Sequence, residues 1–383
     1  MPCRATNRMR GNRRRISLRV RARRAAGRKI NMPRSAREAR DMPEYLQKTV
    51  TSTRIRLARN LRGYFFPHML SPYKAEEIVA AVRAALKKLD TFKEYDIGKI
   101  SRDEAELLVE KHLISPALAG KKTGAAFVYC DENALREDEI SVMVNEEDHL
   151  REQYIVKGYD LYKAYDRLSG VDDALSAELP FAFDGKLGYL TACPSNLGTG
   201  LRASVMMFLP GLSKDGVIRE ILPNLKKNGL TVRGFFGEGS SAEGYSYQVS
   251  NERTLGVSES DVLAHMEEVA LSLTELEFRH RERMKKEGGV RLKDKCLRSY
   301  GTLLNCAVLP WEEFSRLIDD VRLGVALDYF ETKDIVAFIN FLYNMRPLSF
   351  RRGNRVTGGE ENCNIKRAEI VGKVLPDLVK RTC

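Results

Sequence analysis

The feature that most constrains this chain is a change of hydrophobic period near residue 256. Upstream, β-like runs at 125–130, 140–144, 153–156, 230–236 and 245–250 alternate with helical patterns at 71–89, 104–113, 159–179 and 217–227. Downstream, the spacing is helical throughout. Ser258-Glu259-Ser260-Asp261 has the form of a capping box, and Val262, Met266, Val269, Leu273 and Leu276 follow at helical intervals. Further helices are predicted at 293–307, 311–325, 332–343 and 365–379. Two periods in two blocks predict an α+β domain over 42–256 and a small all-helical domain over 257–383. The apolar faces of such a helical unit suit either a partner, such as a second copy in a homodimer, or docking onto the first domain.

At 383 residues, 43% apolar and 30% charged, the composition is that of a soluble globular chain long enough for one large domain or two. No apolar run approaches the roughly 18 residues of a membrane span, and no signal-peptide core is seen. The seven cysteines (3, 130, 193, 296, 306, 363, 383) are scattered without a CxxC pair. That argues against a disulfide framework or a zinc site and for a reducing, cytoplasmic setting. The net charge of +12 is uneven: residues 1–40 hold fourteen Arg, Lys29 and one acid, Glu38, for +14, so the rest sums to −2. No nucleic-acid partner is therefore expected except through a basic, disordered arm at 1–41. The arm reads as sequence ahead of a start at Met32 or Met42, as an Arg-rich transit peptide, or as a tail for nucleic acid or acidic surfaces.

Four short stretches carry chemistry. Tyr189 to Ser204 reads YLTACPSNLGTGLRAS and predicts a strand at 187–191 with Cys193 at its end. A turn through Pro194-Ser195-Asn196 and Gly198-Thr199-Gly200 follows, then a helix from Leu201 with Arg202 in its first turn. That layout would aim backbone N–H groups at an anion; the plainer reading is a tight turn over a buried thiol. In TSTRIRLARN, Arg54 and Arg56 are two apart and share one face of an extended segment, as a polyanion clamp or a solvated edge strand. In NEEDHLR, Glu146 and Asp148 fall on one side of the chain and Glu147 on the other, with Arg151 beyond. Arg233 leads into Gly237-Glu238-Gly239, where the flanking glycines allow a mobile lid or an ordinary hairpin. His112, in EKHLISPAL, belongs to a type more often structural than a ligand.

Arg54, Arg56, Arg151, Arg202 and Arg233, with Glu147, Glu238 and Cys193, all fall at strand ends or loop edges. Converging guanidinium groups repel one another unless a polyanion fills the space, and a nucleoside triphosphate with Mg²⁺ is the natural filler. Phosphoryl transfer asks mainly for positioning and charge stabilisation. Neither a GxxxxGK[ST] loop nor the HRD and DFG set is present. Carboxylates beside such a clamp suit a cationic acceptor. A guanidinium, with a pKa above about 12, can be held bidentately, aimed in line and relieved of its proton as the N–P bond forms. A thiolate there would add negative charge and be open to oxidation or alkylation.

STRIR (52–56), NEEDHLR (145–151), CPSNLGTGLRAS (193–204) and RGFFGEGS (233–240), in that order, make the sequence resemble the ATP:guanido phosphotransferases, the superfamily of arginine and creatine kinases, over roughly 45–255. The resemblance implies an α+β fold whose antiparallel sheet is flanked by helices. It implies that Arg54, Arg56, Arg151, Arg202 and Arg233 bind the phosphates of ATP, with Mg²⁺ and no protein-held metal. Glu147 and Glu238 would hold the guanidinium and act as bases, Cys193 would be the guanidine-side thiol, and His112 would lie near the nucleotide base. A second base-contacting histidine of small-molecule members falls at Met206.

FDGKLGYLTACPSNLGTGLRASVMMFLPGL, FGEGSSAEGYSYQVSN and a helical domain placed after the catalytic one resemble the bacterial protein-arginine kinase branch. That branch implies protein substrates with exposed arginine, a homodimer, an activator protein and a Clp-type unfoldase–protease that reads the mark. Its phosphoarginine-sensing RDxxRA motif aligns with Cys363-Asn364-Ile365-Lys366-Arg367-Ala368, which lacks the leading Arg and Asp. Activation by phosphoarginine is therefore not carried over.

The expected activity is transfer of the γ-phosphoryl group of ATP to arginine side chains of proteins. The alternatives are a phosphagen-type kinase acting on a small free guanidino compound and a catalytically silent scaffold. A wide acidic mouth around Glu147 and Glu238 would favour proteins, and a closing specificity loop would favour free arginine.

Overall fold

The computed structural model describes residues 44–89, 92–129, 139–234 and 243–382. The basic arm, and Glu238 with the loop that carries it, lie outside the described residues. The chain opens with α1 (Glu44–Thr49), β1 (Val50–Arg59), α2 (Pro72–Leu86), β2 (Phe92–Asp96), α3 (Arg102–Glu110) and α4 (Pro116–Ala119). It continues through β3 (Ala125–Tyr129), β4 (Glu139–Val144), β5 (Leu150–Lys157) and α5 (Leu161–Glu178). A small hairpin of β6 (Phe183–Asp184) and β7 (Gly188–Tyr189) precedes β8 (Leu201–Phe208), α6 (Pro210–Lys214), α7 (Val217–Lys227), β9 (Leu230–Gly234) and β10 (Ser246–Asn251). Then come α8 (Glu259–Asn305), α9 (Trp311–Ala326), β11 (Phe330–Thr332), α10 (Ile335–Asn344), α11 (Pro347–Gly353), α12 (Glu360–Leu378) and β12 (Val379–Arg381).

Among the described residues, eight strands form one sheet in the order β2-β3-β4-β5-β1-β8-β10-β9, and every neighbouring pair is antiparallel. This is the expected α+β arrangement. β1 lies in the interior of the sheet, between β5 and β8, so the edge-strand reading of its arginines does not hold. Its alternation decides the two faces: Ile55 and Leu57 are fully buried, while Arg54 and Arg56 point the other way and are half-buried. Elsewhere in the sheet, Ile78, Val82 and Leu86 of α2 pack on Phe127, Val142, Val144 and Leu150.

One expected element is corrected. The chain after Gly200 is strand β8, not a helix, so Arg202 lies on a strand and no helix N-terminus faces an anion there. Ala and Met give ASVMM a helical propensity, but Leu201, Ala203, Val205 and Met207 are all buried at a period of two. Pairing with β1 on one side and β10 on the other overrides propensity. The turn entering β8 needs glycine: Gly200 has φ +65, and a Cβ there would stand 2.6 Å from the Ala58 carbonyl oxygen and from Arg59 Nη1.

The capping box forms as its sequence implies. Ser258 Oγ accepts from Asp261 N–H at 3.1 Å, and Asp261 Oδ2 accepts from Ser258 N–H at 3.0 Å. α8 takes in two segments expected to be separate helices, and its backbone leaves helical geometry at Gly289 (φ 47, ψ −141). A buried ion pair ties α8 to the sheet. Glu277 accepts from Gly211 N–H (2.9 Å), Leu212 N–H (3.0 Å) and Arg281 Nε (2.7 Å), and Arg281 Nη2 donates to the Phe208 carbonyl at 2.8 Å. Phe208 also joins the apolar core that Phe314, Val321, Phe338, Phe350 and Val371 form among the later helices. No helix among the described residues is long and apolar enough to cross a membrane.

Candidate active site

The antiparallel register gathers the arginines. Arg56 stands directly opposite Arg202 across β1 and β8, and Arg151 on β5 pairs with Ala58, on the same face of the sheet. Arg233 on β9 pairs with Gln248 of β10, which in turn pairs with Met206 of β8. Burial, then the charges of Arg54, Arg151, Arg202 and Arg233, hold the Arg56 guanidinium well below its ordinary pKa. Burial, with Arg151 and Arg202 next, lowers Arg54 to about 10. Arg202 is lowered by burial and by Arg233, against the opposing charges of Glu252 and Cys193. Arg56 Nε and Arg202 Nε are buried with no hydrogen-bond partner among the described residues. A face this short of acceptors fits a polyanion such as a triphosphate.

Sequence reasoning missed what aims Arg54. Gln248 Oε1 accepts from Arg54 Nη2 at 3.0 Å, Gln248 Nε2 donates to Ser250 Oγ at 3.0 Å, and Ser250 Oγ donates to Ser204 Oγ at 2.9 Å. It also missed Arg59, on the opposite face of β1. Its guanidinium makes a bidentate pair with Asp172 of α5 (2.8 and 3.0 Å), donates to the Thr199 carbonyl at 3.0 Å and lies 3.6 Å from the centre of the Tyr189 ring. Burial works to lower the Arg59 pKa, but Asp172, Tyr189 and Glu152 together outweigh it and the net shift is upward. Arg59 therefore holds the turn that leads into Arg202. Adjacent lysines or arginines in a sequence give no sign of which is structural, but the odd position of Arg59 relative to Arg54 and Arg56 does place it on the other face.

The loop after β4 is fixed by every member except one. Asn145 Nδ2 donates to the Ala75 carbonyl at 2.9 Å. Glu146 accepts from Arg151 Nη1 at 2.9 and 3.0 Å and from Ser115 Oγ at 2.6 Å. Asp148 Oδ1 accepts from Asn60 Nδ2 at 2.6 Å and from Ala192 N–H at 2.7 Å, and His149 Nδ1 accepts from Leu61 N–H at 2.9 Å. Glu147 alone of these is exposed. The Asp148–Ala192 bond joins this loop to the one carrying Cys193, whose Sγ lies 3.0 Å from Ser195 Oγ. Cys193 precedes a short 3-10 turn, Pro194–Asn196. Glu147, Cys193 and the clamp are thus parts of one framework, and Glu238 lies outside the described residues.

A cavity of about 230 Å³ extends from the clamp, lined by Arg54, Arg233, His112, Lys157, Met206 and Tyr343 among others. His112 adopts a left-handed backbone (φ 61). The surrounding protein, then Arg346, Arg54 and Lys157, lower its pKa and keep the imidazole neutral. Met206 also lines the cavity wall.

An arginine-lined sheet face, an exposed carboxylate and a thiol are thus brought together, and comparison with known proteins gives the family. Residues 74–280 match the ATP:guanido phosphotransferase C-terminal catalytic domain, and residues 289–382 match the protein-arginine kinase McsB C-terminal domain. The protein-arginine kinase of Caldanaerobacter subterraneus subsp. tengcongensis is 37% identical over 340 residues, covering 87% of this chain and 99% of that protein. That of Geobacillus stearothermophilus is 42% identical over 285 residues, covering 73% of this chain and 77% of its own. Among solved structures, the substrate-free duplicated taurocyamine kinase from Schistosoma mansoni aligns with a TM-score of 0.54 at 27% identity, over 70% of this chain and 41% of that one. Lombricine kinase aligns with a TM-score of 0.51 at 26% identity, over 63% of this chain and 68% of that one. The chain belongs to the ATP:guanido phosphotransferase family and, within it, to the protein-arginine kinases.

Proposed function

We propose that this protein-arginine kinase works by clamping the phosphates of ATP on the five-arginine face and presenting the acceptor arginine to Glu147. The observation that carries this reading is the pair of buried donors on Arg56 and Arg202 that have no hydrogen-bond partner among the described residues, in a set of arginines whose charges, after burial, lower the pKa of Arg54, Arg56 and Arg202. Phosphate oxygens would satisfy the donors and cancel the repulsion, and would neutralise charge where it builds during transfer. Mg²⁺ enters with the nucleotide, bound to its phosphates.

Glu147 is assigned the acceptor guanidinium: it pairs with the planar fork, orients one nitrogen toward the γ-phosphorus and takes the proton released as the N–P bond forms. Glu238 is assigned the same task from the other side. Cys193, beside Arg202, is assigned to the guanidine side of the site. An exposed Glu147 on a fixed loop suits an arginine delivered on a polypeptide. The family resemblance supports a cytoplasmic homodimer working with an activator protein and a Clp-type unfoldase–protease. The test is ADP release on mixing with Mg·ATP and an unfolded arginine-rich protein, followed by recovery of the transferred phosphate. Acid-labile label on the protein supports the reading; acid-stable label, or ADP release without transfer, contradicts it.

A further inference from the structure

The cavity next to the clamp is walled in part by residues far along the chain. Tyr343, near the end of α10, lines it. Lys157 Nζ lies 3.5 Å from its ring centre, and Arg346 Cζ lies 4.3 Å from it. Arg346 Nη1 donates to the Glu110 carbonyl at 3.0 Å and to His112 Nε2 at 3.2 Å. Because the arginine must be the donor, His112 carries its proton on Nδ1. The N–H groups of Leu348 and Ser349 donate to the Glu110 carboxylate at 3.0 and 2.6 Å, fixing the start of α11 against the end of α3.

Packing alone explains why α10 and α11 dock, but not why an aromatic ring shares a cavity with the clamp residues Arg54 and Arg233. If the arginines hold the triphosphate, the space beside them must take the uncharged remainder of the nucleotide. Its lining suits that role: Met206 and Ile155 offer apolar surface, Tyr343 an aromatic ring, and His112 a neutral imidazole.

We propose that α10 and the start of α11 complete the nucleotide site, with Tyr343 forming a wall for the base-and-ribose end and Arg346 positioning His112. This rests on the nucleotide reading of the clamp. It makes the helical C-terminal region part of the binding site rather than an appendage, so that displacing α10 would weaken ATP binding without touching any phosphate contact. Tyr343 is a specificity residue for the nucleotide, and Arg346 is a positioning residue.

The experiment compares binding of Mg·ADP and of inorganic tripolyphosphate to the full chain and to Tyr343→Leu, Tyr343→Phe and Arg346→Met. Tripolyphosphate engages the arginines but has no base. Tyr343→Leu is expected to raise the Kd for Mg·ADP about tenfold, the scale of one lost aromatic contact, and to leave that for tripolyphosphate unchanged. Tyr343→Phe keeps the ring and should restore most of the affinity. Arg346→Met removes the guanidinium that holds His112 Nε2, so it should weaken Mg·ADP binding several-fold while leaving tripolyphosphate binding unchanged. Equal weakening of both ligands in Tyr343→Leu would overturn the proposal, as would unchanged Mg·ADP binding in both Tyr343→Leu and Arg346→Met. Should Tyr343→Leu fail to fold, an Arg346→Met variant with wild-type Mg·ADP affinity is sufficient to reject it. A wild type that binds tripolyphosphate but not Mg·ADP refutes this inference alone; one that binds neither refutes the nucleotide reading beneath it.

Discussion

Arg56 on β1 and Arg202 on β8 are direct cross-strand partners in the interior of the sheet, two cations placed where a sheet ordinarily avoids like charges. Like charges so placed cost stability in the ligand-free protein, a cost that an anion lying over the two side chains would offset. Arg56→Gln is therefore expected to stabilise the ligand-free protein by about 1 kcal/mol, a rise of a few degrees in melting temperature, while abolishing stabilisation by Mg·ADP. Thermal unfolding with and without nucleotide checks both halves. A lower melting temperature in the empty variant would contradict the account.

Glu147 stands out from a loop whose other acids are bonded inside, so its substitution should leave the framework intact. Glu147→Gln is expected to lower kcat at least about 100-fold while Mg·ADP still binds. Loss of nucleotide binding in the variant would show that the assignment of Glu147 to the acceptor side is wrong.

The Arg59–Asp172 pair is buried on both sides, each side chain 1% exposed. Asp172→Asn leaves an uncompensated buried guanidinium and should cost about 3–5 kcal/mol in denaturant unfolding. The double variant Arg59→Met with Asp172→Leu should cost less than either single change, because no charge is stranded. Strictly additive losses would contradict this.

Burial pushes the Glu146 carboxyl up, but Arg151, the Ser115 hydroxyl and the Glu147 N–H together outweigh it and hold the pKa below its ordinary 4.5. A lowered carboxyl pKa contributes stability that is fully present above 4.5 and is lost as pH falls through the folded value. The stability gap between wild type and Glu146→Gln should therefore be constant near neutrality and shrink once the pH drops below 4.5. Urea midpoints measured across that range provide the check, and a gap independent of pH would rule the pairing out as its source.

What the sequence made legible follows from how local each signal is. Arg54 and Arg56 were readable because a period of two needs only one strand to bring them to one face, and the same alternation separates exposed Glu147 from buried Glu146 and Asp148. The capping box at Ser258 is local as well. Arg202 was misplaced on a helix because its segment has helical propensity and becomes a strand only through partners on β1 and β10. Arg59 and Arg346 were passed over for a related reason. Asp172 lies 113 residues from Arg59, and His112 lies 234 from Arg346, and no periodicity relates such pairs.

The central claim is that the acceptor is arginine within a protein. It is tested by incubating the protein with Mg·ATP and either free L-arginine or an unfolded arginine-rich protein such as casein, then reading products by mass spectrometry that preserves acid-labile N–P bonds. The account predicts phosphoarginine on the protein and none on free arginine. Phosphorylated free arginine beside an unmodified protein would contradict it.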